Sequence, residues 1–399
     1  MIVKSYSAIK VAVLGCTGSV GKQAVDALGA MGCRIVLLTC GKNVAEMARL
    51  AILCKPDAMA AADASKDDLA AVSPFSSIRL YAGKEGVLEA IRAADADVII
   101  HSIAGLEGLP YAIAAAETGA RIGMANKEVI IAAGDLLRQK LEASGGELIP
   151  VDSEHSAVFQ CLSSAGDFKC LRSRAPESLR RILLTASGGP FYGKKRSDLA
   201  SVTAKEALAH PTWKMGGKIT IDCATMMNKG FEVIEASRLF GASPEQIEIL
   251  VHRQSIVHSM VEFHDRAVLA QLGLPDMRTC IRYAVSYPER AYVSAASLDL
   301  LSVGQLTFEK PDNETFPLLE EAYAALRRGG TAPTVLIAAD EEAVVAFMRD
   351  EISFNDISVC VRNVMRRVQD APVRDFDDVF RSMADARALA REELRRLSF

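Results

Sequence analysis

Two stretches of the chain carry the side chains best suited to chemistry. Residues 150–156 read Pro-Val-Asp-Ser-Glu-His-Ser, and residues 225–232 read Thr-Met-Met-Asn-Lys-Gly-Phe-Glu. Together they hold three carboxylates (Asp152, Glu154, Glu232) and one ammonium, Lys229. The first stretch follows a short strand-like run, Glu147 to Val151. Asp152 and Glu154 are two residues apart, so an extended chain would turn both to one side. Carboxylates gathered in one place repel unless a cation or a shared proton intervenes. An oxygen-only set suits Mg²⁺ or Mn²⁺ better than Zn²⁺. An Asp-x-Glu pair is also common on solvated loops, and it is the third acid with its neighbouring lysine that favours the metal reading.

A second group of residues points to a nucleotide. Gly15-Cys16-Thr17-Gly18-Ser19-Val20-Gly21 stands between a short apolar strand, 10–14, and an amphipathic helix running to about Met31. Glycines in that setting let backbone amides approach a pyrophosphate at the helix N-terminus. A ligand-free tight turn is the plain alternative. An NAD site usually has an acid about 20 residues past the glycines, on the ribose hydroxyls. Here that place reads Thr39-Cys40-Gly41-Lys42-Asn43, with no acid. Lys42 would instead meet a 2′-phosphate, which gives NADPH; a surface lysine would read the same.

Ser187-Gly188-Gly189 and Asn228-Lys229-Gly230 place small donors beside glycine, surroundings that suit a monophosphate or an ordinary turn. His210, Trp213 and Met215 lie in a stretch broken by Pro211 and Gly216-Gly217. That composition fits a mobile flap with an aromatic cover, or a tryptophan buried at a domain contact. His155 and His258 lie close to these motifs and could support ligand-binding groups. His101, His252 and His264 read as structural or exposed.

The elements that must position these residues follow a pattern. Apolar strands at 10–14, 34–40, 97–101 and 121–124 alternate with helices after Gly21 to about Met31, near 44–54 and at 109–118, which implies a parallel sheet covered on both faces. This region ends near residue 150. Residues 151–290 are less regular, with strands expected at 247–264 and 266–272, and read as an α+β catalytic region. Residues 291–312 read as a connection. From 313 to 399 the pattern is helical: helices are expected at 316–328, stopped by Gly329-Gly330, and at 333–348. Ile357, Val361, Val364 and Val368 then form one apolar stripe. The fold class is therefore α/β: a Rossmann-like NADPH domain (1–150), a central α+β domain and a C-terminal helical bundle.

Composition sets limits on function. The chain has 399 residues, enough for two or three domains, with 50% hydrophobic and 24% charged residues. A net charge of −4 gives no electrostatic reason to expect nucleic acid. Any bound phosphate should be small and held by local donors. Nine cysteines without CxxC pairs read as reduced thiols of a cytoplasmic protein. No apolar run of 18 residues is present, so no membrane span is expected. A strand within about ten residues of the start leaves no room for a targeting peptide.

With these motifs in view, the sequence resembles the 1-deoxy-D-xylulose 5-phosphate reductoisomerase family over nearly its whole length. The most specific stretches are Ala125-Asn126-Lys127-Glu128, Val151 to Ser156, Ala186 to Phe191, His210 to Gly216 and Ala224 to Glu232. Gln254-Ser255, His258-Ser259-Met260 and Pro275 to Thr279 add to them. The resemblance implies a homodimer acting on a small phosphorylated sugar. It implies that Asp152, Glu154 and Glu232 bind Mg²⁺, Mn²⁺ or Co²⁺. It places the substrate phosphate on Ser187, Asn228, Lys229 and a further serine, with His210 nearby, and the sugar hydroxyls and carbonyl on Lys127 and Ser153. NADPH would lie on Thr17, Gly18, Ser19, Val20, Gly41, Lys42, Asn43, Asn126, Glu128 and Gly216. Trp213 would cover the substrate. Cys223 stands where that further serine is usual, and a thiol is a weak donor. Cys16, Arg253 and Cys280 also depart from the pattern, none of them in the metal set.

The implied reaction rearranges the carbon skeleton of 1-deoxy-D-xylulose 5-phosphate and reduces the product with NADPH to 2-C-methyl-D-erythritol 4-phosphate. Lys127 is the expected positive charge or proton donor beside the reacting oxygens. An NADPH dehydrogenase reducing another phosphorylated carbonyl compound, without rearrangement, is the enzymatic alternative. A cofactor-sensing regulatory protein on the same scaffold is the non-catalytic one.

Overall fold

Strand β1 (Lys10–Leu14) is buried along nearly its whole length, as expected of a strand covered on both faces. In the computed structural model, which describes residues 6–164, 166, 168–213, 215–292 and 294–398, it lies at the centre of a seven-stranded sheet. Lys214, within one of the motifs, falls outside the described residues. The chain continues through α1 (Ser19–Met31), β2 (Arg34–Cys40), α2 (Val44–Cys54), β3 (Ala58–Ala61), α3 (Lys66–Val72), β4 (Arg79–Ala82) and α4 (Gly83–Arg92). Then come β5 (Val98–His101), α5 (Leu109–Glu117), β6 (Arg121–Met124), α6 (Lys127–Ser144) and β7 (Glu147–Pro150).

All neighbouring strands of this sheet are parallel, in the order β4-β3-β2-β1-β5-β6-β7. The order reverses between β1 and β5, so a crevice forms beyond their carboxyl ends, where ligands bind in such sheets. The glycine loop leaves β1 at that crevice.

Helix α7 (Ser153–Ser163) leads into the second sheet, built from β8 (Leu179–Ala186), β9 (Ile247–Val251), β10 (Val257–Phe263) and β11 (Val268–Leu272) in the order β11-β10-β8-β9. Between β8 and β9 lie α8 (Ala204–Ala207), α9 (Gly217–Ala224) and α10 (Met227–Phe240). The expected strand at 247–264 is two strands. His252 to Ile256 interrupts it, with Ser255 at φ 52°, because His252 Nε2 accepts the Ile256 and Val257 amides and folds the backbone on itself.

After α11 (Met277–Ser286) and a short α12 (Leu300–Val303) come α13 (Leu318–Arg328), α14 (Ala332–Met348), α15 (Phe354–Arg367) and α16 (Phe376–Leu397). On α15 the stripe residues Ile357, Val361 and Val364 are buried; burying such a side chain contributes about 1.5–3 kcal/mol. Helix α13 seats on α10 at Gly230, where an added Cβ would lie 2.7 Å from Ala322 Cβ. The C-terminal helices thereby brace the helix that carries Asn228, Lys229 and Glu232.

Candidate active site

Parallel pairing delivers the first residues of the site. β6 and β7 run in register, Met124 beside Pro150, and each turns at once into a helix. Lys127 opens α6, and Asp152 caps α7 two residues beyond its strand. Asp152 Oδ1 accepts the amides of Glu154 at 3.1 Å and His155 at 3.4 Å. The chain does not stay extended beyond Asp152, the condition on which 152 and 154 would share a side as on a strand. An aspartate at this place satisfies the open amides of a helix N-terminus, and helix outweighs strand there. Glu154 still reaches the Asp152 side because it lies in the first helical turn.

Glu232 comes from α10, which follows α9 through Met226 in a left-handed conformation, φ 63°. That sharp turn aims Asn228 and Glu232, four residues apart on one face, at the start of α7. One oxygen from each of Asp152, Glu154 and Glu232 lies within 4.8 Å of the others. Two ligands about 2.1 Å from one ion are at most about 4.2 Å apart, so small side-chain shifts would fit the set to a divalent cation. The all-oxygen donor set fits a hard ion as well.

Two ammonium groups bridge the acids. Lys127 Nζ lies 2.9 Å from Asp152 Oδ2, 3.0 Å from Glu232 Oε1 and 2.9 Å from Asn228 Oδ1. Lys229 Nζ donates to Glu154 Oε1 at 2.8 Å and to Glu232 Oε2. Burial alone would lower the Lys127 ammonium, but Asp152 and Glu232 hold it well above its ordinary value. Burial likewise opposes the Asp152 charge, yet Lys127 and His155 hold that carboxyl well below its usual range. Glu232 is raised, by burial first and then by Glu154. Behind them His155, fully buried, is pulled down by burial and pushed up to about 9 by Glu235 and Asp152. Burial pushes Glu235 up to about 8 against the opposing pull of His155.

A second set of donors lies at the end of β8. Gly188 and Gly189 follow Ser187 with φ of 81° and 67°, and a Cβ on Gly189 would sit 2.5 Å from the Cys223 carbonyl oxygen. Only glycine lets this loop pack onto the end of α9. Ser187 Oγ lies 3.0 Å from His210 Nε2. His210 Nδ1 accepts the amides of Thr212 at 3.2 Å and Trp213 at 2.9 Å. The Nε2 atom therefore carries the proton in the neutral ring and donates to Ser187. The same ring holds the backbone of Trp213, whose indole lies 6.4 Å from the His258 ring. Burial pushes the Cys223 thiol up, so it stays a neutral, weak donor. Asn228 and Lys229 face the acids in this structure, not the Ser187 loop.

At the third side, α1 begins at Ser19 with no side chain capping its first turn, leaving amides free for a diphosphate. Gly41, Lys42 and Asn43 are exposed at the end of β2, and the Asn43 side chain caps α2 through the Glu46 amide. Asn126 is different. Its amide donates to Ile103 O and to Gly105 O at 2.8 Å, and its oxygen accepts the Val129 amide at 2.8 Å. Its side chain thus ties α6 to the loop after β5, while Glu128 remains partly exposed beside it.

These sides enclose one cavity of about 490 Å³. Ser19, Val20, Lys127, Asp152, Ser153, Glu154, Ser187, His210, Trp213, Gly216, Cys223, Asn228, Lys229 and Glu232 all line it. Gln23 also lines it and carried no signal in the sequence; Ser255 and Met277 line it too, within two of the stretches that carry the resemblance but with no role expected of them. Glu235 was missed as well; its spacing of three from Glu232, matched by Asp152 and His155, was the available clue.

Three family models match the chain: 1-deoxy-D-xylulose 5-phosphate reductoisomerase over residues 11–134, its C-terminal domain over 148–240, and a further DXP reductoisomerase C-terminal domain over 272–389. The 1-deoxy-D-xylulose 5-phosphate reductoisomerase of Xanthomonas axonopodis pv. citri is 45% identical over 393 residues, covering 96% of each chain. That of Symbiobacterium thermophilum is 45% identical over 392 residues, covering 96% of this chain and 98% of the relative. The Zymomonas mobilis enzyme, solved in complex with NADPH, superposes with a TM-score of 0.88 at 39% identity, covering 97% of this chain and 99% of that one. A DOX-P reductoisomerase with NADPH, fosmidomycin and magnesium gives 0.87 at 33% identity, covering 97% and 98%.

Proposed function

The chain belongs to the 1-deoxy-D-xylulose 5-phosphate reductoisomerase family, and from that premise we propose how its own residues carry the reaction. It is an NADPH-dependent oxidoreductase that converts 1-deoxy-D-xylulose 5-phosphate to 2-C-methyl-D-erythritol 4-phosphate with a divalent metal, in the non-mevalonate route to isoprenoid precursors. The observation that carries the residue-level reading is the single cavity in which three acids, the open N-terminus of α1 and the Ser187–His210 pair face one another.

Asp152, Glu154 and Glu232 hold the ion, Mg²⁺, Mn²⁺ or Co²⁺. When bound, the ion supplies Lewis acidity toward carbonyl and hydroxyl oxygens and NADPH supplies a hydride. Lys127 and Ser153 hold the sugar oxygens, and Lys127 keeps a positive charge beside them through the rearrangement. Ser187 and the His210 Nε2–H bind the phosphate. Asn228 and Lys229 would join them on leaving the acids, whose charge the Lys229 ammonium now offsets and the ion would then offset in its place. Cys223 contributes at most a weak hydrogen bond. Trp213 covers the substrate and excludes water. The cofactor lies on Thr17, Gly18, Ser19, Val20, Gly41, Lys42, Asn43, Glu128 and Gly216, with Asn126 shaping the pocket floor. In this division of labour residues 1–150 serve NADPH, 151–290 serve metal and substrate, and 313–399 brace them.

The test is NADPH oxidation with deoxyxylulose phosphate, with and without Mg²⁺, followed by NMR of the product skeleton. A branched product and strict metal dependence are expected. An unbranched reduction product would replace this reading with a simple dehydrogenase.

Two substitutions probe the edges of the site. Lys42→Ala is expected to raise KM for NADPH about tenfold and leave that for NADH nearly unchanged, the loss of one charge-assisted hydrogen bond. Equal losses with both cofactors would remove the 2′-phosphate role. Cys223→Ser is expected to lower KM for the substrate about threefold, since a hydroxyl restores one neutral hydrogen bond. An unchanged KM would show that the thiol position makes no contact with the phosphate.

We place the protein in the cytoplasm as a homodimer. All nine cysteines are free thiols, and no helix among the described residues is long and apolar enough to cross a membrane. Strand β11 is a sheet edge with Val268 and Leu269 exposed, a surface that a second copy would cover.

A further inference from the structure

We infer that Glu235 is a positioning residue of the metal centre, fixing the Asp152 carboxylate through His155. This rests on the metal-centre reading above, and Glu235 has no part in that reading itself. Neither Glu235 nor His155 lines the substrate cavity.

The geometry begins with the imidazole. His155 is fully buried, with its ring stacked on Phe240 at 6.1 Å. Its Nε2 lies 3.0 Å from the Glu232 carbonyl oxygen. A backbone carbonyl can only accept, so Nε2 carries a proton. Its Nδ1 lies 3.0 Å from Asp152 Oδ1 and 3.3 Å from Glu235 Oε2. Asp152 Oδ1 already accepts two amides, so it too faces the ring as an acceptor. Both nitrogens thus face oxygens, and the ring is held at each end.

Asp152 does not hold the ring alone, because its other oxygen is bound to Lys127 at 2.9 Å. Glu235 is 2% exposed, and its Oε2 has no well-formed hydrogen bond, yet it is aimed at Nδ1. Without Glu235 the ring loses its second contact at Nδ1, and Asp152 Oδ1 alone must fix the plane of the ring. Ring and carboxylate can then turn together, and the carboxylate leaves the position it takes with Glu154 and Glu232. The ring also ties the α7 N-terminus to the α10 backbone at Glu232, so one imidazole registers both acid-bearing helices.

The test measures Mn²⁺ binding to the full chain by electron paramagnetic resonance. Glu235→Gln is expected to weaken Mn²⁺ binding about tenfold, the usual scale for a partner behind a metal ligand. His155→Asn should weaken it at least as much, and the double variant should be no weaker than His155→Asn alone, because Glu235 acts only through the ring. Saturating Mn²⁺ should return most of kcat to Glu235→Gln, leaving a raised KM for the ion. Glu235→Met, of similar volume, is measured alongside, and thermal melting confirms that each variant is folded. Affinity within twofold of the parent in either Glu235 variant overturns the proposal, as do losses that multiply in the double variant. Asp152→Asn is the control. If it binds Mn²⁺ like the parent, the metal-centre reading fails first and takes this one with it.

Discussion

Exchanging Glu232 for glutamine is expected to lower kcat at least about a thousandfold while the protein stays folded, a loss of about 4 kcal/mol of transition-state stabilisation. Glu232 is 1% exposed and is the acid that both ammonium groups share. Its Oε1 also accepts from Asn228 at 2.6 Å. Glutamine keeps the shape and one acceptor oxygen, but it removes the charge that a divalent ion requires from its third ligand. The fold survives for a local reason. Lys127 retains Asp152 at 2.9 Å and Lys229 retains Glu154 at 2.8 Å, so neither buried cation is left unpaired. The expected stability cost is about 1–3 kcal/mol, from one ammonium now facing a neutral amide. Steady-state kinetics, Mn²⁺ affinity and thermal melting separate the terms. Full activity in a folded variant would end the assignment of Glu232 to the metal.

The residue types of this site were legible because their chemistry is local: three carboxylates, a glycine loop, and a lysine where an acid would mark NAD. The positions were less so. Asp152 and Glu154 looked like neighbours on a strand, since a period of two and the start of a helix are alike over three residues; the N-cap bonds to the Glu154 and His155 amides decide it. Strand β3 reads Ala-Met-Ala-Ala, residues that favour helix in isolation, and its place between β2 and β4 overrides that preference. Strand β4 has no fully buried residue, so alternation gave nothing to detect. The break between β9 and β10 contains neither glycine nor proline and depends on His252 folding the backbone. Asn126 carried a cofactor motif, but its side-chain bonds go to Ile103, Gly105 and Val129, about twenty residues away or on its own helix. That Lys127 meets Asp152 and Glu235 meets His155 depends on how α6, α7 and α10 pack, of which the three-residue spacing of Glu232 and Glu235 is only a partial trace.

Replacing Lys127 by methionine should move two measurements in opposite directions. Its ammonium lies 2.9 Å from Asp152 Oδ2 and 3.0 Å from Glu232 Oε1, so an entering divalent cation must contend with it for oxygens on two of its three ligands. Methionine has similar length and no charge. Metal-free, the variant holds buried acids with less compensation, and its stability should fall by about 3–5 kcal/mol. Added Mn²⁺ should recover that loss by mass action, so its melting temperature should rise more than that of the parent at equal ion concentration. Mn²⁺ affinity should increase about tenfold as the competing cation is removed. Turnover should nevertheless fall about a hundredfold or more, because the charge and proton donor beside the reacting oxygens are gone. Tighter metal with slower chemistry is the signature of a lysine that shares the acids with the ion and also serves the substrate. If affinity and turnover fell together, Lys127 would instead be a strut for Asp152 and Glu232. If turnover held while affinity rose, it would be only a stand-in for the missing charge, and the proton donor would have to be sought elsewhere among the groups lining the cavity.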